Sequence, residues 1–270
     1  MLNKRGTRTL TLNTNKIFLP KSKRSQLTIF IIIAILIVAG VVLFFMISPK
    51  SNSKKSSVTD NPEGFIQTCL EDTIKENAKI IALQGGSIEP EAFFLYNGSQ
   101  LQYLCYTGDY YKLCNVQVPF LRKSIEQELK DSIKSEVDFC FNSLKENYKD
   151  STLKKGDIKV ELLPKRIVTT INNTFTYTKR GETATHKSFK IVLNNNLYEM
   201  VAITQNIVEW ETNLGEAEPV NYMVLYHDLK VEKQKQTDET KIYIITDKNT
   251  GNKFQFASRS LAFPAGFILK

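Results

Sequence analysis

LTIFIIIAILIVAGVVLFFMI, residues 27–47, is a run of twenty-one residues without a charge, in which Thr28 is the lone polar side chain. As a helix it would extend roughly 32 Å, which matches the hydrocarbon thickness of a bilayer and exceeds what a core helix needs. The stretch is therefore expected to be a single transmembrane helix. The chain then reads outward from it: a basic arm over 1–26, a flexible tether over 48–62, a helical module with a β-hairpin over 63–150, and a β-rich domain over 151–270, in all an α+β architecture.

Lys4, Arg5, Arg8, Lys16, Lys21, Lys23 and Arg24 precede the apolar run with no acid among them, whereas only Lys50, Lys54 and Lys55 follow it closely. That asymmetry predicts a cytoplasmic N-terminus and an extracellular C-terminal domain at the cell membrane, with the lipid bilayer as the first partner. A cleaved secretory signal is the competing reading; the run is longer than an ordinary signal core, and Ser48-Pro49-Lys50 lacks a small-x-small cleavage site. The net charge of +8 sits in these ten basic residues, which leaves residues 56–270 at −2. Nucleic acid is accordingly not expected as a partner. The Ser- and Lys-rich tether should have an end-to-end reach of roughly 20 Å.

Beyond the tether, Ile66, Leu70, Ile74, Ala78 and Ile81 recur at helical spacing until Gln84-Gly85-Gly86, where glycine supplies the left-handed residue of a C-cap. A hairpin follows, Phe93-Phe94-Leu95 and Leu101-Gln102-Tyr103-Leu104-Cys105 about the turn Tyr96-Asn97-Gly98-Ser99. A long amphipathic helix is then expected over 119–148, striped by Ile125, Leu129, Ile133, Val137, Cys140, Leu144 and Tyr148 and packing on the first helix and the hairpin. Cys69, Cys105, Cys114 and Cys140 all lie on this side of the apolar run, with 35, 8 and 25 intervening residues, which match no zinc pattern. Disulfides and buried free thiols are the alternatives. If the two helices run antiparallel, Cys69 meets Cys140, and Cys105 pairs with Cys114 at the hairpin end.

After Lys154-Lys155-Gly156 the composition turns to Thr, Asn, Val and aromatics. Ile167, Ile171, Phe175 and Tyr177 share one face of a single expected strand, Lys187–Leu193 returns beside it, and a helix over 194–210 can be capped by Asn195 or Asn196. Strands at 229–235, 241–246 and 253–258 complete an antiparallel meander with one packed helix. Asn172-Asn173-Thr174 and Asn97-Gly98-Ser99 are glycosylation acceptors by pattern, Asn172 the better placed of the two.

The junction Lys23-Arg24-Ser25-Gln26-Leu27-Thr28-Ile29-Phe30 resembles the class III signal segment of archaeal type IV pilin-like proteins, in which a prepilin peptidase cuts before the Gln. The resemblance implies cleavage between Ser25 and Gln26. The order of anchor, Cys-bearing helix, Gln-Gly-Gly turn, Tyr-Leu-Cys-Tyr strand and long helix with a fourth Cys is similar to uncharacterised single-pass surface proteins of small-genome archaea. It implies a fold and a location and no activity.

Catalytic chemistry is not legible. His186 and His227 are the two histidines, and no nucleophile motif accompanies them. Glu89 with Glu91, and Glu209 with Glu211, are carboxylate pairs suited to acid–base work if buried together, and otherwise solvated. Tyr103, Tyr106, Tyr110 and Tyr111 form the densest aromatic group, expected to pack in the core rather than to meet a sugar or a protein. No metal and no cofactor is expected. The leading expectation is a non-enzymatic, membrane-anchored surface protein that binds a ligand or builds the envelope, with surface-layer proteins, other envelope proteins or its own copies as partners. A pilin-like subunit assembled through residues 27–47 and an extracellular enzyme with an unrecognised site are the alternatives.

Overall fold

A computed structural model describes residues 31–38, 61–148 and 150–262, and the chain divides into two compact units, Met1–Lys55 and Ser56–Lys270. In the first unit the described residues are the eight helical positions 31–38 (α1). Their large aliphatic side chains are 47 to 65% exposed. The transmembrane helix expected over 27–47 is overturned by one finding. Among the described residues no helix is long and apolar enough to cross a membrane. The remainder of 27–47, the basic arm with Ser25 and Gln26, and the tether as far as Asp60 lie outside the described residues.

The second unit opens with α2 (Pro62–Leu83), whose first turn is fixed by Pro62 and by Asn61, whose side chain accepts from the Glu63 amide. Its stripe of Ile66, Leu70, Ile74, Ala78 and Ile81 is buried against α3 (Leu121–Glu146). The helices are antiparallel and held in register. Cys69 is bonded to Cys140 with Cα atoms 6.1 Å apart, and eight residues further along each helix the Asn77 amide donates to Ser132 Oγ at 3.0 Å. All four cysteines are paired, the second bond joining Cys105 to Cys114.

Between the helices lies the hairpin β1 (Phe93–Tyr96) and β2 (Ser99–Tyr106), turned by Asn97 and Gly98 at φ 48° and 82°. Both values are positive, as a two-residue type I′ turn requires, and they explain the Asn-Gly choice. A short β3 (Asn115–Val116) pairs with the end of β2. The later strands are β4 (Ser151–Lys154), β5 (Ile158–Leu163), β6 (Arg166–Ile171), β7 (Thr174–Lys179), β8 (Glu182–His186) and β9 (Phe189–Asn194). Helices α4 (Leu197–Leu214) and α5 (Pro219–Leu225) precede β10 (Leu229–Lys235), β11 (Lys241–Asp247) and β12 (Lys253–Arg259).

These strands do not make one meander. The single strand expected through 167–177 is two, because Asn173 turns its buried side chain back to accept from the Gly156 amide at 2.8 Å. A Cβ at Gly156 would stand 1.9 Å from the Asn172 carbonyl oxygen, so only glycine permits that approach. β6 therefore joins β5 and β9 in one three-stranded sheet, and β7 joins β4 and β8 in another. The third sheet has the order β1-β2-β12-β11-β10, with β12 parallel to β2. Strands from both expected modules thus share a sheet, and one core runs from Ile66 to Phe256. Helix α2 packs on β12 and on β9 as well as on α3, and its stripe is fully enclosed.

The six-stranded sheet is curled. Tyr96 on its first strand donates to Gln234 on its last at 2.7 Å, and Leu101, Tyr103, Ile242, Ile244 and Ala257 form a second small core inside the curl. α4 ends at Gly215, whose φ of 79° is the left-handed cap; its N-cap is Asn196, which makes no side-chain cap hydrogen bond, and the preceding Asn195 accepts from the Leu197 amide.

Loop-closure entropy ranks the two disulfides. The Cys69–Cys140 bond closes a separation of 71 residues and the Cys105–Cys114 bond one of 9. Replacing the first pair by serine should cost about 4 kcal/mol and the second about 3 kcal/mol. Denaturant titration of the two double-serine variants checks the order.

Candidate binding site

The loop that joins β2 to β3 is closed at its base by Cys105–Cys114 and pinned along its length by β12 and the residues after it. Thr107 donates its amide to the Arg259 carbonyl at 2.9 Å, and Arg259 returns a guanidinium hydrogen bond to the Thr107 carbonyl at 2.8 Å. The Ser260 hydroxyl accepts from the Cys114 amide, and the Leu261 amide donates to the Lys112 carbonyl. On this fixed base Tyr110 and Tyr111 stand 63% and 72% exposed. Tyr111 holds φ at +60°, a left-handed conformation costly for a side chain of this kind.

This corrects the expectation of core packing. Of the four tyrosines only Tyr103 is buried; its ring meets Tyr106 edge-on, and its hydroxyl shares a 3.0 Å hydrogen bond with Thr240. Tyr106 lies half out, under the Arg259 guanidinium. A rigid loop with outward tyrosines offers large amphipathic contact area at small entropic cost, which is the physical basis of many protein-binding loops.

A groove continues from the loop between the start of α3 and one flank of α4. It has two depressions that meet at Gln205, of about 170 and 190 Å3. Val116, Val118, Pro119, Val208, Glu209 and Thr212 line the first. Phe120, Arg122, Lys123, Tyr198, Val201 and Ala202 line the second. Phe120 is 74% exposed, and the Arg122 guanidinium lies 5.8 Å above the Tyr198 ring. Each depression is smaller than a typical cofactor site of roughly 300 Å3 or more and suits single side chains of a partner.

The other residues singled out by sequence do not converge. Glu89, Glu91 and Glu209 are exposed, and Glu211 is fully buried. Glu211 and Lys241 form the one fully buried ion pair among the described residues. Lys241 reaches both Glu211 oxygens, at 3.0 and 2.8 Å, while Tyr243 donates to Oε1 and Ser258 to Oε2. Lys241 also donates to the Gly215 carbonyl and so finishes the end of α4. A carboxylate that accepts four hydrogen bonds has used its lone pairs, so this acid has none left for a substrate proton. Sequence reasoning missed Lys241. The signal was present, since Glu211 continues the buried stripe of Thr204, Ile207 and Val208, and Lys241 shares the core-facing parity of Tyr243 and Ile245.

His186 stacks at 6.1 Å on Tyr177, with Nδ1 3.2 Å from Glu63, and His227 lies at the surface near the Met223 carbonyl. Cys69, Glu136 and Cys140 bring three ligand-type atoms within 4.8 Å, but the two sulfurs are bonded to each other and offer no thiolate. Asn97 and Asn172 are both exposed. Comparison with protein-family models, with curated proteins and with solved structures gave no match to this chain.

Two outcomes follow from the buried polar groups. Lys241→Met leaves a buried charge uncompensated and should cost about 3 to 5 kcal/mol, most of it recovered when Glu211→Gln is added; denaturant titration of both variants checks this. Burial raises the hydroxyls of Tyr103 and Tyr243, and that of Tyr222 to about 12, against an ordinary value of 10.0. Groups raised in the folded state leave stability intact below the unfolded value and remove it above. Thermal stability should therefore fall as pH climbs past 10, and less steeply in Tyr222→Phe.

Proposed function

We propose that this chain is a non-enzymatic protein of the cell surface, whose disulfide-bonded unit binds an envelope protein or forms part of the envelope. The observation that carries this reading is the complete pairing of the cysteines, one bond tying two helices and the other closing the exposed tyrosine loop. Such bonds persist in an oxidising space outside the cytoplasm and are reduced within it. Tyr110 and Tyr111, on the loop closed by Cys105–Cys114, are the surface through which a surface-layer or other envelope protein would be held. The exposed aliphatic side chains of α1 support lipid as a second contact, since water leaves that area uncompensated.

Rapid thiol trapping tests the compartment. Cells expressing the full chain are quenched in acid, and the denatured protein is treated with a maleimide before and after reduction. The expected result is no label before reduction and four labels after it. Four labels before reduction would place the chain in a reducing compartment and remove the reading.

A further inference from the structure

Two exposed patches carry opposite charge beside unpartnered apolar side chains. The first precedes and includes β1, the edge strand of the curled sheet: Glu89 and Glu91 are exposed, and Phe93 and Leu95 follow on its outer face at 40% and 64% exposure. The second is the end of the groove formed by Phe120, Arg122, Lys123 and Tyr198. Neither glutamate, nor Lys123, has an ion-pair partner within 4.0 Å among the described residues. Arg122 reaches only Glu126, at 4.0 Å.

Both patches adjoin α3, one through the turn that precedes it in the chain and the other through its own first turn. The turn that leads to Glu89 lies on the start of α3: a Cβ at Gly86 would stand 3.0 Å from Leu121, and Ser87 and Ile88 both donate to Glu128. An acidic and a basic patch side by side on one surface are self-complementary under a two-fold rotation, which sets acid on base twice. An edge strand with free backbone groups and outward Phe and Leu is moreover a surface that needs a cover.

We propose that the chain forms a two-fold dimer in which Glu89, Glu91, Phe93 and Leu95 of each copy dock on Arg122, Lys123, Phe120 and Tyr198 of the other. A second copy is favoured over a foreign partner because every copy carries both halves of the contact, so charge is matched without a further component. The dimer is independent of the compartment in which the chain resides, and its failure leaves the thiol result untouched.

Sedimentation of the full chain in mild detergent, over the micromolar range, is the test. The wild type should show a reversible monomer–dimer equilibrium that weakens with added salt. Lys123→Glu and Glu91→Lys should each raise the dissociation constant about tenfold or more, since each sets like charges together. Lys123→Glu combined with Glu91→Lys should return it to within about threefold of wild type, because the exchanged charges again match. Retention of both disulfides in every variant controls for folding. A wild type that stays monomeric overturns the proposal and leaves the groove to a foreign partner. A dimer indifferent to the substitutions, or a combined variant weaker than either single one, also overturns it.

Discussion

The antiparallel register of α2 and α3 is the constraint on which the rest of the second unit depends. Cys69–Cys140 and Asn77–Ser132 fix it at two levels eight residues apart, so neither helix can slide or rotate without breaking a covalent bond or stranding a polar group. With α2 held against α3, the same helix also packs on β12 and on β9, so the large sheet and one small sheet meet the helix pair. The disulfide thus acts on the whole layer order, beyond the two residues it joins.

The second organising feature is polar. Glu211 and Lys241 are fully buried, and burial of two charges gives little net stabilisation against a well-packed apolar pair. Their contribution is positional. Lys241 ties the carboxylate of α4 to the first residue of β11 and to the last turn of α4 at once, while Tyr243 and Ser258 extend the contact to β11 and β12. The end of α4 is the point from which Gly215 turns the chain toward α5, so the same cluster fixes where the flank of the binding groove stops.

Local signals in the sequence read well, and non-local ones poorly. The stripes of α2 and α3, the Asn97-Gly98 turn and the start of α4 at Asn195-Asn196 each rest on residues within about a turn of one another, where periodicity and side-chain chemistry decide the outcome. The division of 167–177 into two strands rests on Asn173 meeting Gly156, seventeen positions away, and no alternation pattern encodes it. The parallel pairing of β12 with β2 joins residues more than 150 positions apart and was equally invisible. Composition also misled at the aromatic cluster. Tyr110 and Tyr111 look like core residues until the short disulfide loop is seen to leave no interior for them. In the first unit, hydrophobicity alone suggested a span, whereas among the described residues no helix is long and apolar enough to cross a membrane.

The place of β12 has a consequence for how the protein comes into being. It lies inside the sheet, between β2, which is made early, and β11, which is made late, and it supplies the Arg259, Ser260 and Leu261 contacts that pin the tyrosine loop. The sheet cannot close until residue 259 has left the ribosome, so the far edge of β2 must wait, unpaired with β12, while more than 150 further residues are synthesised. Contacts of such long range make for slow folding and a prolonged exposed edge.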